Sequence, residues 1–289
     1  MAISGNIAFG SDGVSRLATG LLRLAFRFWG SLAPKSATKA AVWLFTKPKR
    51  SQIRADESQL LAAANCYFLK VDSHELAVME WGRGPAVLCL HGWSSRGLRF
   101  RNLIDQLVKS GYRVIAFDAP AHGRSSGSHV DVMGYAECIL AIAERVGPIH
   151  AIVAHSFGAA ATLLALEKGL ITDRVIFFSA LNGIRGPLDY LADKLGISDE
   201  VLSSVKKSFE DKFNRSIESL EALKIVPQLI TQPLLVVHDK DDPILPFHNA
   251  VDLVGVWKNS ELITTHGIGH ETILDDPNLI EKVVCFLEL

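Results

Sequence analysis

Ser156 stands where an apolar segment meets a run of small residues, a position that suits a catalytic nucleophile. The apolar run Ala151–Ala154 predicts a strand, and Gly158 with the three alanines after it predicts the start of a helix. A sharp turn between them would expose the serine hydroxyl, and the helix N-terminus would stabilise the negative charge that develops during acyl transfer. A serine that merely caps the helix would show the same local pattern. The segment therefore predicts a nucleophile, with a helix cap as the alternative.

A general base and an acid would have to come from two later loops. A serine hydroxyl is activated by a histidine whose imidazole is oriented by a carboxylate. Asp239, Asp241 and Asp242 follow one predicted strand, and a proline after Asp242 fixes a rigid turn. His266 and His270 follow the last predicted strand, and glycines frame His270. The residues by themselves leave the acid open among three positions and the base between two.

Backbone N–H groups near the nucleophile would be needed to bind a developing oxyanion. Phe157 directly follows Ser156, and Trp93 lies in the loop after the apolar run Ala86–Leu90. We predict that the main-chain N–H groups of Trp93 and Phe157 form an oxyanion hole. His91, at the start of the same loop, is predicted to have a structural role.

Short apolar runs alternate with helical stretches through most of the chain. The predicted strands are Ala86–Leu90, Arg113–Phe117, Ala151–Ala154, Arg174–Phe178, Leu234–Val237 and Leu262–Thr264. This alternation indicates an α/β fold, with a mostly parallel sheet covered by helices on both faces. A hairpin over Cys66–Trp81 adds antiparallel strands at one edge. Apolar residues at helical spacing between residues 182 and 230 interrupt the alternation and predict a small helical cap.

These motifs, in this order, resemble those of the α/β-hydrolase superfamily. The resemblance runs from Cys66 to Leu289 and rests on HGW at 91–93, DAPAHGRS at 118–125, AHSFG at 154–158, DPILP at 242–246 and GIGH at 267–270. In that family the acid precedes the proline of such a DPxxP segment and the base ends the GxGH segment, which implies Asp242 and His270. Ala121 and Ala154 stand where the family usually has glycine, so the chain departs from the pattern there.

The resemblance also implies a reaction class. A serine nucleophile argues against the dehalogenases of the family, which have an aspartate at this position. We expect a serine hydrolase that cleaves a small carboxylic ester through an acyl-enzyme intermediate, without metal or cofactor. Thioesterases and C–C bond hydrolases with the same triad are the catalytic alternatives. A binding protein that keeps the fold without turnover is the non-catalytic alternative.

Residues 1–55 form a basic extension ahead of a hydrolase-like domain at residues 56–289. From Met1 to Arg54 there are nine Lys or Arg residues and a single acid. A helical pattern places one apolar side opposite a stripe formed by Arg16, Arg23 and Arg27. The apolar positions are Val14, Leu17, Leu21, Leu24, Phe28 and Leu32. Residues 14–45 are therefore expected either to contact a membrane peripherally or to pack on protein, including a second copy, and the width of the apolar arc favours protein.

Overall composition excludes several other functions. A formal net charge of -1 gives no general attraction for nucleic acid. The four cysteines lack CxxC spacing, and we expect four free, buried thiols in a reducing compartment. The chain lacks an apolar run of about 18 residues and a recognisable signal peptide, which favours a cytoplasmic location, with membrane association as an addition.

Overall fold

Eight strands form a single sheet in the order β1-β2-β4-β3-β5-β6-β7-β8. The structure is a computed structural model that describes residues 16–229 and 231–288, with only the backbone described for residues 16–19, 228 and 229. The strands are β1 (Asn65–Val71), β2 (His74–Trp81), β3 (Ala86–Leu90), β4 (Arg113–Phe117), β5 (Ile149–His155), β6 (Thr172–Phe178), β7 (Leu234–Asp239) and β8 (Ser260–Thr265). The pairs β1–β2 and β2–β4 are antiparallel, and the other five pairs are parallel. The predicted edge hairpin and mostly parallel sheet are confirmed.

Helices cover both faces of this sheet. They are α1 (Arg16–Leu32), α2 (Pro34–Thr46), α3 (Ser58–Ala62), α4 (Arg101–Lys109), α5 (Val132–Val146), α6 (Phe157–Glu167), α7 (Arg185–Leu195), α8 (Asp199–Phe213), α9 (Ala222–Leu229), α10 (His248–Val256) and α11 (Pro277–Glu288). Along β3, Leu88 and Leu90 pack into the core that includes α5 and α6, whereas Val87 and Cys89 pack into the core that includes α4 and α11. Because successive strand residues point to opposite faces, a strand buried on both sides must be apolar throughout.

The predicted cap consists of α7, α8 and α9, inserted between β6 and β7. Gly196 and Asn214 adopt left-handed backbone conformations directly after α7 and α8, which ends each helix. Arg215, just after α8, forms a two-pronged ion pair with Glu167 at the end of α6, with N–O distances of 2.6 and 3.0 Å. The cap is therefore fixed to the sheet domain by a charged contact as well as by apolar packing.

The N-terminal helices pack on the cap. Phe26 of α1 is only 3% exposed, and Gly30 of α1 lies against Val201 and Ser198 at the start of α8. Helix α2 also packs along α8, and its Ala37 and Ala41 are fully buried. Small residues at these positions let the helix axes approach closely. The extension is thus a structured arm that covers the cap.

The opposite side of α1 is not covered by the part of the chain that the structure describes. Leu21, Leu24, Phe28 and Leu32 are 67%, 54%, 66% and 85% exposed, so the described residues do not cover the predicted apolar arc. Val14 lies outside the described residues, and only the backbone of Arg16 and Leu17 is described. The packed side of the helix is the one that carries Phe26, about a third of a turn or more from the predicted arc.

Arg50 fastens the end of the arm to the sheet domain. Its guanidinium donates to the carbonyl oxygens of His122, Gly123, Ser125 and Gly127 at 2.7–3.1 Å. These carbonyls belong to the loop after β4, which borders the end of the sheet where Ser156 lies. A planar guanidinium can satisfy several acceptors at once, which a lysine cannot do with the same geometry.

The structure bears on the expected burial of the cysteines and on the possibility of a membrane-spanning helix. All four cysteines are free, but only Cys89 and Cys138 are buried, so the expectation of four buried thiols is wrong for Cys66 and Cys285, which are exposed. Among the residues that the structure describes, none of the helices has the length together with the hydropathy that crossing a membrane requires.

A buried ion pair connects the residues that follow the arm to the loop after β3. Glu57 is fully buried, and its carboxylate accepts hydrogen bonds from Arg96 Nε at 2.9 Å and Arg96 Nη2 at 2.5 Å. The backbone N–H of Arg54 donates to the same carboxylate at 2.8 Å. The neighbouring Asp56 is exposed and forms ion pairs with Arg54 at 3.1 Å and with Arg101 at 3.4 Å. Of these two adjacent acids, one is therefore buried with its partner and the other lies at the surface.

We expect Glu57→Gln to lower the free energy of unfolding by about 3 kcal/mol, because it leaves the Arg96 charge buried without its counter-charge. The same change at the adjacent exposed acid, Asp56→Asn, should cost less than about 1 kcal/mol. Equilibrium urea unfolding of both variants measures the difference. Equal losses would show that the Glu57–Arg96 pair does not stabilise the fold.

Candidate active site

Ser156 occupies a strained turn between β5 and α6. Its backbone has φ 52° and ψ -114°, a region that L-residues other than glycine rarely adopt. The turn is held by a hydrogen bond from the Ser156 N–H to the Phe178 carbonyl at the end of β6, at 3.0 Å. Such strain costs about 1–3 kcal/mol and persists only where the surroundings enforce it. The geometry is that of a nucleophile elbow.

Two glycines let the loop after β3 approach this turn. A Cβ at Gly158 would lie 2.5 Å from the Leu90 carbonyl oxygen and 2.8 Å from that of His91. A Cβ at Gly92 would lie 2.9 Å from His155 Nδ1 and 3.2 Å from Ser156 Cβ. Larger residues would push the two loops apart. Ala154, which replaces a glycine of the family pattern, is fully buried within β5.

Asp242 and His270 meet beside this turn. His270 Nδ1 lies 2.7 Å from Asp242 Oδ2, and the Asp242 side chain is fully buried. The other carboxylate oxygen accepts the N–H groups of Ile244 and Leu245 at 2.7 and 3.0 Å. Burial raises the pKa of Asp242, but the hydrogen bond and charge of His270 with these backbone donors outweigh it, and the pKa lies below its ordinary value. An ionised Asp242 holds the His270 proton on Nδ1, which leaves Nε2 as the proton acceptor.

The competing residues serve other contacts. Asp239 is fully buried and accepts hydrogen bonds from Thr265 Oγ1 and Ile268 N–H at 2.7 and 2.8 Å, so it positions the loop that carries His270. Asp241 is exposed and lies 3.5 Å from the exposed His266. Neither of these two aspartates hydrogen-bonds to His270 in the part of the chain that the structure describes. Geometry therefore distinguishes Asp242 where spacing left three candidates.

Ser156 and His270 line the same pocket. Among the described hydrogen bonds, none joins the Ser156 hydroxyl to the imidazole in this state. Catalytic hydrogen bonds are often long before substrate binds and shorten in the complex. The three predicted residues are thus brought to one place, with the acid–base pair already joined.

The predicted oxyanion residues also line this pocket. The rings of Trp93 and Phe157 meet edge to face with their centroids 5.2 Å apart, which sets the loop after β3 directly against the N-terminus of α6. The helix dipole adds positive potential at the Phe157 N–H. Main-chain N–H groups from two adjoining backbone segments are the kind of donor that holds a developing oxyanion, so this pair remains the predicted oxyanion hole.

Two neutral histidines brace this loop. His91 Nδ1 is 2.8 Å from the Gly92 carbonyl, and its Nε2 accepts the Ala119 N–H at 3.0 Å. His122 Nε2 accepts the Ser94 N–H at 3.0 Å. Burial lowers the pKa of His91 to about 4 and that of His122 to about 3. Each imidazole must therefore stay neutral to remain an acceptor.

Two further histidines beside the triad were not found from the sequence. His155 Nε2 lies 3.0 Å from the His270 carbonyl oxygen, and burial lowers the pKa of His155 well below its ordinary value. His238 Nε2 lies 3.2 Å from the Leu245 carbonyl and 3.6 Å from Asp242 Oδ2. Both are neutral N–H donors that fix the loops of the base and the acid. The only sequence signals for this role are that His155 directly precedes Ser156 and that His238 lies near the end of β7, four residues before Asp242.

The pocket has a volume of about 450 Å³ and lies between the sheet, the cap and the arm. The cap contributes Leu188, Leu191, Phe209 and Phe213, and the end of α2 contributes Leu44 and Phe45. Sequence reasoning treated the arm as a separate extension and missed this contribution. The described residues contain no group of three or more His, Cys, Asp or Glu side chains able to hold a metal ion.

Comparisons with known sequences identify one protein family. A model of the alpha/beta hydrolase family matches residues 87–281. The AB hydrolase superfamily protein YisY of Bacillus subtilis is 25% identical over 262 residues, which cover 75% of this chain and 97% of that protein. A non-heme haloperoxidase of Rhodococcus erythropolis is 25% identical over 252 residues, covering 69% of this chain and 90% of that protein.

Solved structures share the fold. An esterase of Exiguobacterium antarcticum superposes with a TM-score of 0.62 at 21% identity, covering 77% of this chain and 99% of that one. A membrane phospholipase A, described as a bacterial virulence factor, superposes with a TM-score of 0.63 at 18% identity. The superposition covers 94% of this chain and 98% of that one. The second likeness extends into the N-terminal arm, because residues 56–289 make up only about four-fifths of the chain.

We expect Asp→Asn changes at positions 239, 241 and 242 to have different effects on the reactivity of Ser156. Asp242→Asn should slow the labelling of Ser156 by a fluorophosphonate about 10³- to 10⁴-fold, because the imidazole loses its tautomer and its counter-charge. Asp241→Asn should leave the rate within about twofold. Asp239→Asn should act mainly by lowering the melting temperature. Similar labelling rates for the variants at 241 and 242 would mean that the acid is assigned wrongly.

Acid should destabilise the fold below about pH 6.5. An unfolded histidine titrates near 6.5, whereas folded His91 and His122 resist protonation down to about 4 and about 3. The unfolded chain therefore binds the extra protons, and stability falls between pH 6.5 and 4 by up to about 1.4 kcal/mol per pH unit for each histidine. No loss from these groups is expected above pH 6.5.

Urea unfolding between pH 7.5 and 4.5 measures how steeply the free energy of unfolding falls as the pH is lowered. His122→Asn should make this pH dependence shallower, and the exposed control His266→Asn should leave it unchanged. If both variants keep the slope of the unaltered protein, His122 does not contribute to it.

Proposed function

Because this chain belongs to the alpha/beta hydrolase family, we propose that it is a serine hydrolase that cleaves carboxylic esters through an acyl-enzyme intermediate. The observation that carries the proposal is the 2.7 Å contact between His270 Nδ1 and the fully buried side chain of Asp242, where His270 lines the same pocket as the strained Ser156. A binding protein without turnover would have no need for a strained serine beside an oriented base.

In the first half-reaction, His270 Nε2 takes the hydroxyl proton of Ser156 as its Oγ attacks the ester carbonyl carbon. The carbonyl oxygen becomes an oxyanion, held by the main-chain N–H groups of Trp93 and Phe157. As the intermediate collapses, the bond to the alcohol oxygen breaks, and the imidazolium returns its proton to that oxygen. The alcohol leaves, and Ser156 keeps the acyl group.

In the second half-reaction, water replaces the alcohol. His270 takes a proton from the water, and the hydroxide adds to the acyl carbonyl with the same oxyanion contacts. Collapse breaks the bond to Ser156 Oγ, which regains its proton from the imidazolium. Asp242 stays ionised throughout, and its charge stabilises the imidazolium in both halves.

The pocket lining favours an ester with an apolar acyl group. Leu188, Leu191, Phe209 and Phe213 of the cap form much of the wall, and Leu44 of the arm adds to it. A volume of about 450 Å³ is within the usual range for small-molecule sites. An acyl chain of medium length would bury its methylene groups against these side chains. We propose such esters as substrates, in preference to compounds cleaved at a C–C bond, because ester cleavage needs no group beyond the triad and the oxyanion donors. Thioesters need the same groups, so they are compared directly with matched esters in the test.

The test is a series of p-nitrophenyl esters from acetate to octanoate, with the matching thioesters. We expect kcat/KM to rise with acyl length by up to about fourfold per methylene until the pocket is filled, since each buried methylene contributes about 0.8 kcal/mol. Ser156→Ala should lower ester turnover by about 10⁴-fold or more. Ser95→Ala, a control at another pocket serine, should keep it.

Three outcomes would contradict the proposal. Turnover that survives Ser156→Ala would exclude the serine mechanism. Thioesters cleaved far faster than matched esters would make the protein a thioesterase. A protein that neither turns over esters nor reacts with fluorophosphonate would be a binding member of the family.

A further inference from the structure

The outer side of α1 is an apolar surface, which we call the arm face and define by Leu21, Leu24, Phe28 and Leu32. These side chains repeat at intervals of three or four residues, so they lie on one side of the helix. More than half of the surface of each is exposed. Single exposed apolar residues are common on protein surfaces, but four large ones in a row on one helix indicate a binding surface.

The face is rigidly placed, because the other side of α1 is anchored. Phe26 is buried in the core, and the Arg23 backbone lies against Gly196 at the end of α7, 3.1–3.3 Å from where a Cβ would stand. The helix therefore does not need to order itself before it binds, and the entropic cost of docking is correspondingly small.

The charged residues of the arm itself, between residues 16 and 53, all have one sign. From Arg16 to Ile53 the chain has eight Lys or Arg residues and no acid. Arg23 and Arg27 are exposed one turn apart on α1, and Lys35 and Lys39 are exposed one turn apart on α2. Basic residues beside an apolar helix side are the arrangement that binds anionic lipid, with the apolar residues among acyl chains and the cations at the headgroups.

We propose that the arm face docks on an anionic membrane surface, with α1 lying in the interface plane. Leu21, Leu24, Phe28 and Leu32 enter the acyl region, and Arg23 and Arg27 contact lipid phosphates. This inference rests on the packing, exposure and charge of the arm and is independent of the reaction at Ser156.

A second copy of the chain is the less suitable occupant. A two-fold dimer through this face would bring the same patch against itself. The arginines of the two arms would then approach one another, and residues 16–53 offer no carboxylate to compensate them. An anionic bilayer supplies the missing negative charge.

Docking through this face would also bring the pocket near the bilayer. The end of α2 lines the pocket with Leu44 and Phe45 and contributes Lys47 and Lys49 to it. The arm thus connects the lipid-contacting helix to the wall of the site. An apolar ester dissolved in the membrane would have a short path to Ser156.

The test is co-sedimentation of the full chain with vesicles of phosphatidylcholine alone or mixed with phosphatidylglycerol. We expect binding to the mixed vesicles and little to phosphatidylcholine, with binding weakened by salt because the surface potential is screened. Arg23→Gln with Arg27→Gln should lower the partition coefficient about 30-fold, at about fivefold per basic residue. Leu24→Ser with Phe28→Ser should lower it by at least about tenfold per residue.

Matched controls use exposed residues far from the arm in sequence. Ile171→Ser removes a side chain that is also mostly exposed, and Lys258→Gln with Lys282→Gln removes the same charge as the arginine pair. These variants should bind mixed vesicles as the unaltered chain does. Ser156→Ala should also bind normally, which separates docking from catalysis. Melting temperatures of all variants exclude unfolding as the cause of a loss.

Three results would overturn the proposal. The first is binding to mixed vesicles no stronger than to phosphatidylcholine. The second is unaltered binding by both arm variants. The third is a dimer in the absence of lipid that Leu24→Ser with Phe28→Ser dissociates, which would assign the face to a second copy.

Discussion

The positive φ of Ser156 is the constraint on which the site depends. A non-glycine residue in this conformation is unfavourable, so the chain must be held there from several sides. The hydrogen bond from Ser156 to Phe178 holds it to the neighbouring strand, and Gly92 and Gly158 allow the loop after β3 to press against it. Because that loop also carries Trp93, the contacts that enforce the strained turn bring the proposed oxyanion donors to the nucleophile.

Buried polar groups around this turn are arranged so that only one imidazole is paired with a buried carboxylate by a short contact. His91, His122, His155 and His238 are all held neutral by burial, and each has a backbone partner. Among the described imidazoles, His270 is the one within hydrogen-bond distance of ionised Asp242. The low dielectric of the interior makes unpaired charge costly, and the Asp242 carboxylate gives an imidazolium formed here a counter-charge. Such selective placement of charge suits a general base that must become cationic in the transition state.

The N-terminal arm joins the outer surface to the site. Its first helix leaves an apolar side uncovered, its second helix packs on the cap and lines the pocket, and Arg50 at its end fastens the loop after β4. The buried Glu57–Arg96 pair ties the following residues to the loop that carries Trp93. Removal of the arm would therefore expose the pocket as well as remove a surface helix. A boundary drawn in sequence between extension and domain does not correspond to a boundary in packing.

Local sequence patterns determined much of this protein. Apolar strands alternating with amphipathic helices predicted the sheet, because burial on both faces requires apolar residues at every strand position. The order of the motifs placed Ser156, Asp242 and His270 on loops at one end of the sheet, because the carboxyl ends of parallel strands meet at the same edge. Tertiary structure decided the rest, since packing depends on contacts between residues distant in sequence. Spacing could not separate Asp242 from Asp239, which differ in whether a buried oxygen faces an imidazole or a hydroxyl. The helical pattern of α1 showed two unlike sides. Which side met the cap depended on contacts with residues distant in sequence, such as Gly30 against Val201 of α8.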